Sequence, residues 1–146
     1  VLGASADEVK EKADLPGVRT VFNEEWASGM GSSLRCGLDA LSADPELAAV
    51  VILPVDTPGI TAAAVRRVAA FASTGALVAA SYSGVRGHPV LIGRDHWAGV
   101  RELAIEDRGA REYLKSHVVA EVDCRDVADG ADADRPEDLP GYGLKP

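Results

Sequence analysis

The sequence predicts an α/β domain with a mostly parallel sheet. Short apolar or β-branched runs near residues 18–22, 50–55, 77–82, 89–92 and 118–122 alternate with helix-permissive segments. One of these runs, Val50 to Val55, is continuously apolar, as a strand buried on both faces requires. The 146 residues are 47 % hydrophobic and 26 % charged, which suits one globular domain and excludes a disordered chain or a disulfide miniprotein.

At the start of the chain, Val1-Leu2-Gly3 reads as the tail of a buried strand meeting a turn. The expectation is that residues are missing upstream. Ala6 to Leu15 is helix-permissive and stopped by Pro16-Gly17. Val18 to Phe22 then reads as a strand. Ser32 to Leu41 places Leu34, Leu38 and Leu41 on one helical face, with Ser32 or Ser33 able to cap its start. Asp56-Thr57-Pro58-Gly59 ends the central strand. Thr61 caps a helix whose inward stripe is Val65, Val68, Ala69 and Ala72.

Leu77 to Tyr82 is a further strand, Ser83 to Gly87 a turn, and Pro89 to Ile92 the strand after it. Helices follow around Asp95 to Leu103 and Gly109 to His117, then a strand at Val118 to Val122. Asp129 to Asp134 is an acidic loop, and Pro136 can open a last short helix through Leu139. No repeat or linker interrupts this order, so residues 1–146 parse as a single domain.

Lys and Arg number 15 against 23 Asp and Glu, a net charge of −8. That balance repels nucleic acid and anionic lipid, so neither is expected as a partner. No basic leader and no long apolar run stand in the sequence, and a cytoplasmic protein is expected. Cys36 and Cys124 lack metal-ligand spacing and read as free thiols.

Four segments carry chemistry. In Leu53-Pro54-Val55-Asp56-Thr57-Pro58, a carboxylate just beyond a buried strand can bind Mg²⁺, or it can merely cap the following turn. In Gly84-Val85-Arg86-Gly87-His88-Pro89, the glycines permit close approach and His88 can donate to a phosphate or relay a proton; a plain hairpin with a half-buried His is the alternative. Gly29, Ser32 and Ser33 lie where a strand-to-helix turn could cradle an anion, although a capped helix start after a glycine turn is the commoner arrangement. Asp132 and Asp134, spaced i, i+2, would point to one side of an extended segment and could join Asp56 at a metal, or Asp134 could cap the helix at Pro136. Trp26 is a possible site wall, Trp97 and Cys36 read as packing, and His96 and His117 are given no role.

In order, these segments read Asn-x-x-Trp-Ala-x-Gly-Met-x-Ser-Ser-Leu from Asn23, Val-Asp-x-Pro from Val55, Gly-x-x-Gly-His-Pro-Val-Leu from Gly84, and Asp-x-Asp-x-Pro-Glu-Asp-Leu from Asp132. The set resembles the MobA-like nucleotidyltransferases, especially the branch of molybdenum cofactor cytidylyltransferases, from residue 1 to about residue 139. The stretch from Glu106 to Arg111 is similar to the family too, or is a charged turn opening a helix.

The resemblance implies a three-layer α/β/α sandwich of the nucleotide-diphospho-sugar transferase type. It implies transfer of a nucleotidyl group, CMP from CTP, to the phosphate of a molybdopterin-type acceptor, with pyrophosphate released. It assigns Asp56 to Mg²⁺ and catalysis, Asp132 or Asp134 to a second metal contact, and Gly87, His88 and Pro89 to the acceptor pocket. Gly29, Ser32 and Ser33 would contact nucleotide or acceptor. A molybdoenzyme or chaperone would be the protein partner. Such an in-line displacement needs charge neutralisation rather than a covalent nucleophile.

The family's Leu-Ala-Ala-Gly-x-Ser-x-Arg-Met-Gly loop, which cradles the triphosphate, has no counterpart in residues 1–146, and the first strand of the sheet is expected to be missing with it. Val55 stands where the family often has a small or polar residue. The alternatives are a guanylyl- or sugar-phosphate nucleotidyltransferase and a non-catalytic domain that binds a cofactor or partner.

Overall fold

The computed structural model describes residues 1–14 and 16–143. Leu15, expected at the end of the first helix, lies outside them. The elements in chain order are α1 (Ala6–Lys12), α2 (Met30–Ser42), β1 (Ala49–Ile52), α3 (Ala62–Ala69), β2 (Leu77–Tyr82), β3 (Val85–Gly93), α4 (Trp97–Leu103), α5 (Arg111–Lys115) and β4 (Ala120–Asp123). Short 3₁₀ turns occupy Trp26–Ser28, Arg94–His96 and Pro136–Tyr142. The chain clusters into two compact units, each built from two chain segments.

The first unit comprises Val1–Leu47 and His96–His117. Leu38 of α2 is fully buried, and Trp97, Val100, Ala104 and Leu114 complete the buried side of α4 and α5. The expected packing role of Trp97 therefore holds. Close approach of α4 to α5 depends on Gly99, where a Cβ would lie 2.4 Å from the Tyr113 ring. The strand expected at Val18 to Phe22 does not form as a named element: only Phe22 makes a bridge, parallel to Leu2. Val18 and Phe22 are exposed, so their β propensity has no packed face to act through.

The second unit comprises Ala48–Asp95 and Val118–Pro146 and holds a mixed sheet in the order β1-β3-β2-β4. β3 runs antiparallel to both β1 and β2, and β2 runs parallel to β4. The α/β class stands, but parallel pairing does not dominate this sheet. The reason is local. Tyr82 pairs with Val85 across a two-residue turn whose Ser83 and Gly84 both have positive φ, and that turn can only reverse the chain. The expected central strand is shorter than Val50–Val55 and lies at the sheet's end, half-buried, with β3 as its neighbour.

α3 starts where expected, with Thr61 Oγ1 accepting from the Ala64 amide. Its inward stripe is Ala64 and Val68, both fully buried, while Ala72 lies beyond the helix and is exposed. These two residues pack with Val78, Ala80, Leu91 and Cys124 in the core of this unit. Both cysteines are free thiols, and Cys124 is the buried one.

Candidate functional site

Pairing of β2 with β3 slips at one point: Ala79 faces Val90, but Ala80 faces Gly87. His88 and Pro89 are thereby extruded from the ladder as a bulge. Proline suits that position because it has no N–H to give to a neighbouring strand. Bulges re-aim side chains, and this one sets His88 just past the level at which β1 ends, beside Ala79 and Ala80 of β2. The His88–Pro89 peptide is cis. The carbonyl of His88 accepts a hydrogen bond from Tyr82 Oη at 2.7 Å.

Asp56 leaves the same end of the sheet, after β1. Its turn is closed by the buried Thr57, whose hydroxyl donates to the Pro54 carbonyl at 3.0 Å. The acidic loop is tied alongside at two points. The Asp129 amide donates to the Gly59 carbonyl at 3.1 Å, and the Ala133 amide donates to the Asp56 carbonyl at 2.8 Å. Gly59 is required there, since a Cβ would lie 2.6 Å from the Asp129 carbonyl oxygen. Asp132 is carried to His88 by this arrangement. Burial lowers the pKa of His88 from 6.5, and the charges of Asp132 and Asp56 oppose that shift. The imidazole is therefore neutral near pH 7, with one ring nitrogen to donate and one to accept.

In the second unit the charges of Asp132 and Asp56 thus act on His88, with Gly87 and Pro89 flanking the histidine. Asp134 is exposed, as Asp132 is, but of the two loop carboxylates Asp132 is the one whose charge acts on His88. Among the described residues, no group of three or more His, Cys, Asp or Glu is arranged to hold a metal ion. Asp56 and Asp132 still offer the hard oxygen donors that Mg²⁺ or Mn²⁺ prefers, and such ions commonly use one or two carboxylates with waters and substrate phosphates.

Gly29, Ser32 and Ser33 lie in the first unit. Neither serine caps α2, whose N-cap is Gly29 at φ 108°. Ser32 is buried and donates to the carbonyls of Glu25 (2.9 Å) and Gly29 (2.8 Å). Asn23 Nδ2 donates to both serine hydroxyls. The α2 amides expected to meet an anion meet the chain instead: Gly31 donates to the Glu106 carbonyl at 2.7 Å and Met30 to Asp107 Oδ1 at 3.4 Å. The cradle predicted here is filled by the turn at Glu106–Asp107. Arg35 donates to the Ala104 carbonyl and pairs with Glu25, fixing the same turn.

Tyr82 was not singled out by the sequence. It ends β2 like any strand aromatic, and its neighbours Gly87 and Gly130 are distant in the chain. Burial pushes its hydroxyl pKa up to about 12, with Cys124 and Asp129 adding to the shift. His96 and His117, given no role above, form a ring cluster with Tyr113. Tyr113 stacks on His117 at 3.9 Å between centroids, and its hydroxyl lies 2.9 Å from His96 Nδ1.

The fold and this grouping define an α/β domain with its polar residues gathered where strands end, the place at which open α/β sheets take ligands. The chain belongs to the MobA-like NTP transferase domain family, whose model matches residues 1–122. It is 35 % identical over 148 aligned residues to nicotine blue oxidoreductase of Paenarthrobacter nicotinovorans, spanning 95 % of this chain and 71 % of that protein. Its fold matches the crystal structure of a Mycobacterium tuberculosis Rv0371c homologue from Mycobacterium sp. strain JC1, with TM-score 0.75, 27 % identity, and coverage of 95 % of this chain and 69 % of that one. It also matches M. tuberculosis H37Rv Rv0371c in complex with manganese, with TM-score 0.68, 23 % identity, and coverage of 97 % and 74 %, a likeness of fold alone. No helix among the described residues is long and apolar enough to cross a membrane.

Proposed function

We propose that this chain is a divalent-metal-dependent nucleotidyltransferase that moves CMP from CTP to the phosphate of a molybdopterin-type acceptor and releases pyrophosphate. One observation supports the reading: the charges of Asp132 and Asp56 act on His88, and Asp56 and His88 lie within residues 1–122, which match the NTP transferase family. Asp56 and Asp132 would hold the cation. The cation, when bound, neutralises phosphate charge so that one anion can approach another. Neutral His88 donates a hydrogen bond to a phosphate oxygen, and Gly87 and Pro89 shape the turn that presents it. The serines of α2 hold the first unit's turn rather than the nucleotide. A soluble cytoplasmic enzyme follows from this reading.

The test is pyrophosphate release by the full-length protein, which would carry any triphosphate-cradling loop outside residues 1–146, supplied with CTP or GTP, Mg²⁺ or Mn²⁺, and a molybdopterin-type acceptor. Turnover with CTP that is lost in Asp56→Asn supports the proposal, and GTP preference moves it to the guanylyl alternative. No release with any combination refutes it.

A second reading rests on the 35 % identity to an oxidoreductase across 95 % of the chain. On it, the same domain binds a planar conjugated substrate and aids electron transfer from a reduced nicotinamide or flavin. Oxidation of a reduced nicotinamide in the presence of nicotine blue, with no pyrophosphate formed from NTP, decides for it.

A further inference from the structure

Tyr82 touches both of the loops that build the site. Its hydroxyl donates to the His88 carbonyl at 2.7 Å. Its ring lies against Gly87, where a Cβ would sit 3.2 Å from Cδ2 and Cε2. The same ring lies against Gly130 of the acidic loop, where a Cβ would sit 2.4 Å from those two atoms. Glycine on both sides is thus a condition for this ring to fit. The bulge explains why the His88 carbonyl takes a side-chain donor: residues 88 and 89 have no counterparts in β2. The acidic loop, in turn, is anchored at Gly59 and Asp56 on either side of Gly130 and Asp132.

We propose that Tyr82 is a positioning residue that couples the His88 turn to the acidic loop, so that His88 and Asp132 hold one mutual placement. It touches neither substrate nor metal and acts through those two loops. This rests on the reading of His88 and Asp132 as site residues for its consequence in turnover, but the coupling itself is a property of the apo chain.

The experiment crosses two variants of the full chain. Tyr82→Phe alters only the His88 side, by removing the hydroxyl. Gly130→Ala alters only the acidic-loop side, by pushing on the ring. Coupling predicts crossed responses. Tyr82→Phe speeds hydrogen exchange of the Ala133 amide by about three- to ten-fold. Gly130→Ala shifts the ¹³C resonance of the His88 carbonyl in the direction seen for Tyr82→Phe. Tyr113→Phe, a phenol of similar burial in the first unit, moves neither signal. Responses confined to the side mutated overturn the proposal, and so does the absence of any response. If Gly130→Ala fails to fold, exchange at Ala133 in Tyr82→Phe decides alone. Turnover separates the two claims: crossed responses with kcat and KM unchanged leave the coupling standing and refute the catalytic reading of His88.

Discussion

The backbone amide of Ala133 donates to the carbonyl of Asp56 at 2.8 Å, which lays the acidic loop along the segment that leaves β1. Because the bond is between main-chain groups, either carboxylate can be replaced without dismantling the juxtaposition. Function and folding can therefore be separated by mutation at this point.

Asp56→Asn is expected to abolish nucleotidyl transfer, by about 100-fold or more, while leaving the fold intact. Asp56 is exposed, so its unfolding free energy should change by no more than about 0.5 kcal/mol. Pyrophosphate release and urea denaturation on the same preparation check both halves. A large loss of stability would show that the Asp56 side chain supports the turn.

His88 should make folding pH-dependent. Its pKa in the folded state lies below 6.5 because burial disfavours the imidazolium. The unfolded chain therefore binds more protons between the folded pKa and 6.5, and stability rises with pH across that window. The contribution is complete above 6.5 and is lost as pH falls through the folded value. Asp132 and Asp56 face the ring and reduce the effect without reversing it. Denaturation midpoints at pH 7.5 and 5.5 should differ less in His88→Gln than in the parent, once the common carboxylate background is subtracted.

Gly29→Ala should be far costlier than Gly84→Ala, although both glycines have positive φ. At Gly29 a Cβ would lie 2.5 Å from the backbone carbon of Glu106, a group that cannot swing aside. At Gly84 nothing lies within 4 Å, so only conformational strain of about 1 kcal/mol remains. For Gly29 the sum of clash and strain is on the order of 3 kcal/mol. Thermal melts of the two variants provide the comparison, and equal losses would mean the Glu106 turn yields readily.

Arg67 should supply acid resistance to the second unit. Its guanidinium donates to both oxygens of Asp126 at 2.6 and 2.9 Å and holds that carboxyl down to about 2, from 3.8. A lowered carboxyl pKa stabilises the fold above 3.8, and the benefit disappears as pH falls toward 2. Asp126 is exposed and Arg67 partly so, and salt should therefore weaken the effect. Arg67→Met should lose the steeper part of the stability curve between pH 4 and 2 at low salt, and differ little from the parent in 1 M NaCl.

β2 was legible because Leu77 to Tyr82 is a largely apolar run that follows Gly75-Ala76 and stops at the Ser83-Gly84 turn. Thr61 was legible because a cap is a local event. Val50 to Val55 misled because an apolar run does not name its neighbours, and among the described residues β1 pairs with β3 only and is half-buried. The candidate site divided in the same way. Asp56 and His88 could be singled out from their own turns. The influence of Asp132 on His88 depends on an acidic loop held by hydrogen bonds from residues 129 and 133 back to residues 59 and 56, a long-range event. Tyr82 gave no signal, since the two glycines that seat it are 5 and 48 positions downstream.

The parallel pair β2 and β4 sets Val78 beside Ala120, with a long stretch assigned to the other unit between them. On a ribosome, the hairpin of β2 and β3 can close as soon as it emerges. The sheet must then wait with one flank open until residues 120–123 have been made. During that interval the buried faces of Val78 and Ala80 await Cys124, and after it Val127 and Ala128, which pack against the same core. Neither unit can finish folding before the chain has returned to it, so nascent-chain length governs when each becomes resistant to proteolysis.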